Sequence, residues 1–283
     1  MRKVKLIIDS TADMLPEDYL KYDVEIVHLY VILNGVEKKS VEVTPEVLFK
    51  YVEETKKLPK TAAISSETIK EVFVKFLDQD YDIVFISIGK QMSGTYNSAR
   101  LAAEQLDPTR VHVVSSEVVS SGTALLIEKA AKLRDAGKGA KEIADILTAT
   151  APKVVCQFII DTLDYLYMGG RVSSLGRFLG QAFRIHPYIR CKDGKLEVFK
   201  KPMGKLSKCY QEMVSQFKKE LPNIETDVIY VTHCMGEKED VDMIVNEVKS
   251  VVDPSIVKIT TAGSVISSHC GPRTIGILYI LKN

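Results

Sequence analysis

The sequence predicts an α/β protein in two units, residues 1–152 with a mainly parallel sheet flanked by helices and residues 153–283 with a mixed sheet. Three observations carry this. Strand-like apolar runs alternate with stretches of helical period through the first half, the pattern of a parallel sheet with helices on its faces. The second half adds the turn Lys192-Asp193-Gly194 between His186-Pro187-Tyr188-Ile189-Arg190 and Lys195-Leu196-Glu197-Val198-Phe199, a strong hairpin signal. A chain of 283 residues with 46% hydrophobic content has enough apolar surface for two cores, and Pro152 marks the boundary.

Taken in order, Val4 to Ile8 reads as the first strand, and Leu15-Pro16 as a helix start with proline near its first position. Val24 to Leu33 is rich in β-branched residues and returns through Asn34-Gly35 as a hairpin. Thr44-Pro45-Glu46 caps a helix to about Thr55, Pro59 to Ser66 reads as a loop, and a helix from near Glu67 carries Ile69, Val72, Phe73, Phe76 and Leu77 on one face. Ile83 to Ile88 is a buried strand, followed by a helix opened by Ser93-Gly94-Thr95. Val111 to Val114 is a further strand, and Ser120-Ser121-Gly122-Thr123 leads into an apolar helix. Gly137-Lys138-Gly139 breaks it before a helix through Ile143 to Leu147.

Beyond Pro152 the expectations are a strand over Val154–Asp161, a short helix ending at Gly169-Gly170-Arg171, and an apolar-faced helix of roughly Ser174 to Arg184. After the hairpin come a long amphipathic helix to about Leu221, strands at Val228–Thr232 and Ile256–Ile259, a helix between them, and a closing strand over Thr274–Leu281. Ala262 to Pro272 reads as the loop between the last two strands.

Charge excludes some partners. Lys plus Arg number 38 against 37 Asp plus Glu, so nothing favours nucleic acid or an anionic membrane surface. The basic start resembles the flank of a signal peptide, but its apolar run ends at Asp9, and no stretch approaches a membrane span. The expectation is a cytoplasmic protein. Five cysteines with no CxxC read as reduced thiols packed as small hydrophobes.

The first chemical candidate is Ser93-Gly94-Thr95. A helix start at the carboxyl end of a buried strand aims free N–H groups and hydroxyls at a phosphate or carboxylate. The same residues serve equally as a plain N-cap. Asp9-Ser10-Thr11-Ala12-Asp13 occupies the corresponding place after the first strand, where open α/β sheets hold ligands, and its carboxylates, with Asp161 and Asp164, are expected to bond backbone amides in turns.

These two segments, with Asp161-Thr162-Leu163-Asp164-Tyr165-Leu166, Gly169-Gly170-Arg171-Val172-Ser173 and Ala262-Gly263-Ser264-Val265-Ile266-Ser267-Ser268-His269-Cys270-Gly271-Pro272, make an ordered set that closely resembles the DegV family. The resemblance runs nearly end to end. It implies a two-domain DegV-like fold and a bacterial fatty-acid-binding protein, with no catalytic residues and no cofactor beyond the bound fatty acid. It implies that Thr61, Ser93, the backbone of Gly94 and His269 hold the carboxylate while the acyl chain runs into the second domain. A partner subunit, a fatty acid kinase, then phosphorylates that carboxylate to an acyl phosphate. Arg171 and Ser116 are further candidates for ligand or partner contact, with a structural salt bridge open for Arg171. The loop Thr61-Ala62-Ala63-Ile64-Ser65 departs from the family's usual Thr-Ser-Gln-Pro-Ser, so one hydroxyl is lost from the headgroup.

The chemistry is consistent with this. About fourteen methylenes at about 0.8 kcal/mol each give roughly 11 kcal/mol on burial, whereas charge-assisted hydrogen bonds add about 1.5 to 3 kcal/mol apiece. The tail therefore sets affinity and the polar group sets orientation. Neutral hydroxyls and one histidine suit that division. Three rivals stand beside it: a lipid carrier or sensor without a kinase, a zinc site from His233-Cys234 and His269-Cys270, and a hydrolase using Cys270 or Ser93 with His269.

Overall fold

The structure is a computed structural model that describes residues 2–171 and 185–282. Its first half runs β1 (Lys3–Asp9), α1 (Pro16–Lys21), β2 (Val24–Val27), β3 (Tyr30–Leu33), β4 (Val36–Lys39), α2 (Pro45–Thr55), β5 (Lys60–Ala62), α3 (Ser66–Leu77), β6 (Tyr81–Ser87), α4 (Thr95–Glu104), β7 (Val111–Ser115), α5 (Ser121–Asp135) and α6 (Ala140–Thr150). The second runs β8 (Val154–Ile159), α7 (Asp164–Met168), β9 (Tyr188–Lys192), β10 (Lys195–Lys200), α8 (Leu206–Glu220), β11 (Ile229–Cys234), α9 (Lys238–Lys249), β12 (Val257–Thr261), α10 (Ser264–Cys270) and β13 (Thr274–Ile280). The helix expected over Ser174–Arg184 lies outside the described residues.

Strands β2-β1-β6-β7 form a parallel sheet, and β10-β9-β8-β13-β11-β12 a mixed one. Alternation along each strand decides the layering. Leu6, Ile8, Val84 and Ile86 face one core while Ile7, Ile83 and Phe85 face another. In the mixed sheet Phe158 and Leu278 join that first core, whereas Ile275, Ile277 and Tyr279 pack with Met213 and Phe217 of α8. The first core thus lies between the two sheets and is filled by α5 and α6. Helix α5 is buried nearly all round from Ser121 to Ala131, as a helix sandwiched between two sheets must be. The boundary expected at Pro152 falls in a 3-10 turn over Ala151–Lys153, but the core crosses it.

Three local expectations are corrected. The β-branched run Val24–Leu33 is two strands in two sheets, broken where the Leu29 N–H takes the Ser10 hydroxyl and its carbonyl takes the Ser40 N–H; only β3 and β4 make the hairpin. Within the expected Pro59–Ser66 loop, β5 pairs antiparallel with β3, setting Thr61 opposite Val31. The expected 262–272 loop contains helix α10. Its serines looked like loop residues, yet Ser267 and Ser268 return their hydroxyls to the carbonyls of Ala262 and Ser264, which a helix accommodates.

Candidate functional site

The parallel sheet changes direction between β1 and β6: the chain leaves β1 for β2 on one side and returns to β6 and β7 on the other. Loops leaving the carboxyl ends of such neighbours diverge and open a crevice. Asp9, buried at the end of β1, ties the two loops together beneath it. Oδ1 accepts from the Thr11 N–H (3.0 Å) and hydroxyl (2.5 Å), and Oδ2 from the Ser87 hydroxyl (3.2 Å) and the Ile88 N–H (2.7 Å). Burial pushes the carboxyl up further than these donors pull it down. The loop carrying Ser93 is thereby tied to β1.

A cavity lies at this crevice. Leu29, Ile88, Met92, Leu166, Leu196 and Val265 give it apolar walls, and Thr61, Ser93, Gly94, Arg171 and His269 line it together. Thr61 Oγ1 and His269 Nε2 are 2.9 Å apart. Burial, and then the Arg171 guanidinium, hold the His269 pKa down at about 4, so the ring is neutral at pH 7. Its Nδ1 is sealed from solvent with no hydrogen-bond partner among the described residues. With the proton on Nε2 the imidazole donates to Thr61, and the Thr61 O–H is left to donate outward.

Ser93 Oγ accepts from the Thr95 N–H (3.2 Å) and lies 3.0 Å from Thr95 Oγ1. Capping and ligand binding are therefore compatible at this helix start, since an accepting hydroxyl keeps its own proton. Gly94 precedes α4 at the exposed mouth. Arg171 spends Nε on the Met92 carbonyl (3.2 Å) and Nη1 on the Gly169 carbonyl (2.6 Å). Among the described residues it forms no salt bridge with a carboxylate, and it adds a cation to the neutral hydroxyls and imidazole of this wall.

Other candidates lie elsewhere. Ser116 is buried off the cavity, its hydroxyl donating to the Val118 carbonyl (3.1 Å) and accepting from Thr123 (3.0 Å) in the turn before α5. Asp161 pairs with His186 and Arg273, and Asp164 accepts from the Thr162 hydroxyl, rather than bonding amides. His269 bonds Thr61, not Ser93 or Cys270, and burial pushes the Cys270 thiol up, so no nucleophile is activated. Among the described residues no group of three or more His, Cys, Asp or Glu is placed to hold a metal, and no helix is long and apolar enough to cross a membrane.

A second cavity shares Val119, Ile266 and Cys270 with the first and continues past Cys156, Phe158 and Leu278 between the sheets. These are two spaces meeting at three side chains, not one open tunnel. A family model described as "Uncharacterised protein, DegV family" matches residues 3–282. The chain belongs to the DegV family.

Among DegV relatives, a fatty acid-binding protein of Thermotoga maritima is 30% identical over 97% of this chain and 96% of its own. A fatty-acid-binding DegV structure from Thermus thermophilus superposes with a TM-score of 0.90 at 28% identity, covering 99% of this chain and 100% of that one. A stearic acid-binding protein from Eubacterium ventriosum gives 0.87 at 26%, covering 99% and 98%. The fold is thus that of fatty-acid-binding DegV proteins.

Sequence reasoning missed the part of Gly169 in this DegV site. Of the pair Gly169-Gly170 only Gly170 has a positive φ, +70°. A β-carbon at Gly169 would collide with His269 Nδ1, so that glycine makes room for the ring. The double glycine was a visible signal, but only the position of a residue 100 places later explains it.

Proposed function

We propose that this chain binds a long-chain fatty acid, burying the acyl tail between its sheets and holding the carboxylate at Thr61, Ser93, the Gly94 backbone and His269, with Arg171 beside them. One observation carries this: the Thr61–His269 pair, in which a neutral imidazole donates from Nε2 and leaves the Thr61 hydroxyl free to donate, stands at the polar end of an otherwise apolar cavity. An anion with a long apolar body complements both ends. The fatty-acid-binding relatives support the reading. The tail would part Val119, Ile266 and Cys270 to enter the second cavity, and its burial supplies most of the affinity.

In this reading the chain is a cytoplasmic substrate-holding subunit, not itself an enzyme. A separate ATP-binding kinase phosphorylates the carboxylate to an acyl phosphate. Residues 1–152 supply most headgroup contacts and residues 153–283 most of the acyl wall, with His269 crossing back. The test is organic extraction of the purified protein followed by mass spectrometry. A long-chain fatty acid near one per chain is expected. Protein that carries none and takes up neither palmitate nor oleate on incubation overturns the proposal. Protein that binds oleate but yields no acyl phosphate with an ATP-dependent kinase isolated alongside it is a carrier instead.

A further inference from the structure

We infer that Asp13 is a positioning residue for the headgroup site, setting His269 and Val119 against the ligand by pinning α10 and the start of α5 to the turn after β1. This rests on the fatty-acid reading above. Asp13 is buried, and its Oδ1 accepts from the Gly263 N–H (2.8 Å) immediately before α10. Its Oδ2 accepts from the Ser120 hydroxyl (2.5 Å) immediately before α5. One carboxylate thus joins three segments that 107 and 250 residues of chain separate.

Both partners lead straight to cavity walls. Helix α10 is seven residues long and too short to hold its place by helical propensity. Its position depends on tertiary ties, among them the Gly263–Asp13 bond, the bond from Ser264 Oγ to the Ser40 carbonyl (2.9 Å) and that from the Ala262 N–H to the His233 carbonyl (2.8 Å). It carries Val265, Ile266, His269 and Cys270 on the cavity wall. Val119, the residue before Ser120, lines both cavities.

The arrangement is expensive. Asp13 has φ +50° and Ser120 φ +56°, conformations that side-chain-bearing residues rarely adopt. Burial, opposed by only these two donors and reinforced by Asp9, pushes the carboxyl up to about 7. A residue that costs stability twice over is explained by what it holds in place.

The test uses Asp13→Ala, which drops both ties, and Asp13→Asn, which keeps them because Oδ1 still accepts from Gly263 and Nδ2 donates to Ser120. Oleic acid and oleyl alcohol each displace a fluorescent fatty acid from the intact chain. Asp13→Ala is expected to lose about tenfold of the preference for acid over alcohol, beside a smaller loss common to both ligands through Val119, and Asp13→Asn to keep both preference and affinity. An unchanged preference, or equal loss for both ligands, overturns the inference. Should Asp13→Ala fail to fold, Ser120→Ala removes the α5 tie alone and is expected to weaken oleic acid and oleyl alcohol alike by severalfold through Val119; no change overturns the inference likewise. The ligand-free readout is the His269 Hε1 resonance. Its titration is expected to move toward that of an ordinary histidine in Asp13→Ala and to stay put in Asp13→Asn; an unmoved resonance in Asp13→Ala overturns the inference even if no lipid binds. Failure of the wild-type chain to bind either lipid counts instead against the fatty-acid reading.

Discussion

Two of the polar clusters that join the halves of the molecule follow opposite rules. In the first, Lys258 Nζ of β12 lies 2.8 Å from Asp18 Oδ2 of α1 and 3.0 Å from Glu128 Oε1 of α5, while the Tyr22 (2.9 Å) and Tyr230 hydroxyls also donate to Glu128. Burial alone would pull the Lys258 ammonium down, but Asp18 and Glu128 together push it up. In the second, His269 is neutral, its Nδ1 lacks a partner among the described residues, and Arg171 meets only carbonyls there. The closed cluster is a staple; the open one is incomplete without a guest. What the open cluster offers a guest is the Thr61 and Ser93 hydroxyls and the Arg171 cation on one wall of the cavity.

The staple should break hardest. Lys258→Met removes the cation and leaves two carboxylates whose side chains are each 6% exposed. The expected loss is roughly 3–5 kcal/mol in urea unfolding at pH 7, with oleate affinity per folded molecule unchanged. A loss of affinity in the folded variant would erase the distinction between the clusters.

The second test concerns pH. Asp13 titrates at about 7 in the folded chain against an ordinary 3.8. Between those values the folded form holds a proton that the unfolded chain has released, so this group's contribution falls as pH rises through the window. His269 titrates at about 4 against 6.5, so the unfolded chain is protonated first and stability falls as pH drops from 6.5 toward 4. The slopes oppose each other, amounting at about 1.4 kcal/mol per unit to roughly 4 kcal/mol for Asp13 and roughly 3 for His269 across their windows. Relative to wild type, Asp13→Asn should gain stability as pH rises from 4 to 7, and His269→Gln as pH falls from 6.5 to 4. Urea titrations at stepped pH check this, and parallel profiles would overturn it.

A smaller effect belongs to the open cluster alone. Thr61→Val deletes the hydroxyl bonded to His269 and should weaken oleate binding by about tenfold, the worth of one charge-assisted bond. Stability should move by no more than about 1 kcal/mol, the net value of an ordinary hydrogen bond. Calorimetric titration and urea unfolding together give the converse of the Lys258→Met pattern.

Much of the scaffold was legible because strand and helix periods are local. The hairpin at Asp193-Gly194, with φ +49° and +73°, and strands such as β1, β6, β7, β8 and β13 announce themselves this way. Periodicity says that a face is buried, not against what. Thus α5 read as an apolar helix, but its place between two sheets was not visible. The three-residue β5 is too short to show a period, and serine-rich α10 owes its helix to burial and to Asp13. The site divides along the same line. Ser93 and Gly94 follow from helix-start chemistry, whereas Thr61 and His269 meet across 208 residues and came only from family resemblance.

The finest test of the open cluster compares two glycines on its rim. Gly94 has φ −67° and Gly169 φ −70°, so alanine fits either backbone and only the added methyl matters. At Gly94 the new Cβ would sit 3.7 Å from the Ala63 Cβ, an ordinary contact that leaves the backbone N–H in place. Gly94→Ala should therefore leave oleate affinity within about twofold and stability within about 1 kcal/mol, of which lost freedom in the unfolded chain contributes on the stabilising side. At Gly169 the methyl would strike His269 Nδ1 and crowd the Tyr165 carbonyl at 2.9 Å. The ring can yield only by turning away from Thr61, so Gly169→Ala should weaken oleate binding by about fivefold, a fraction of one charge-assisted bond. Equal behaviour of the two variants would show that the orientation of the imidazole does not matter to the ligand, leaving the carboxylate to Ser93, Thr61 and Arg171.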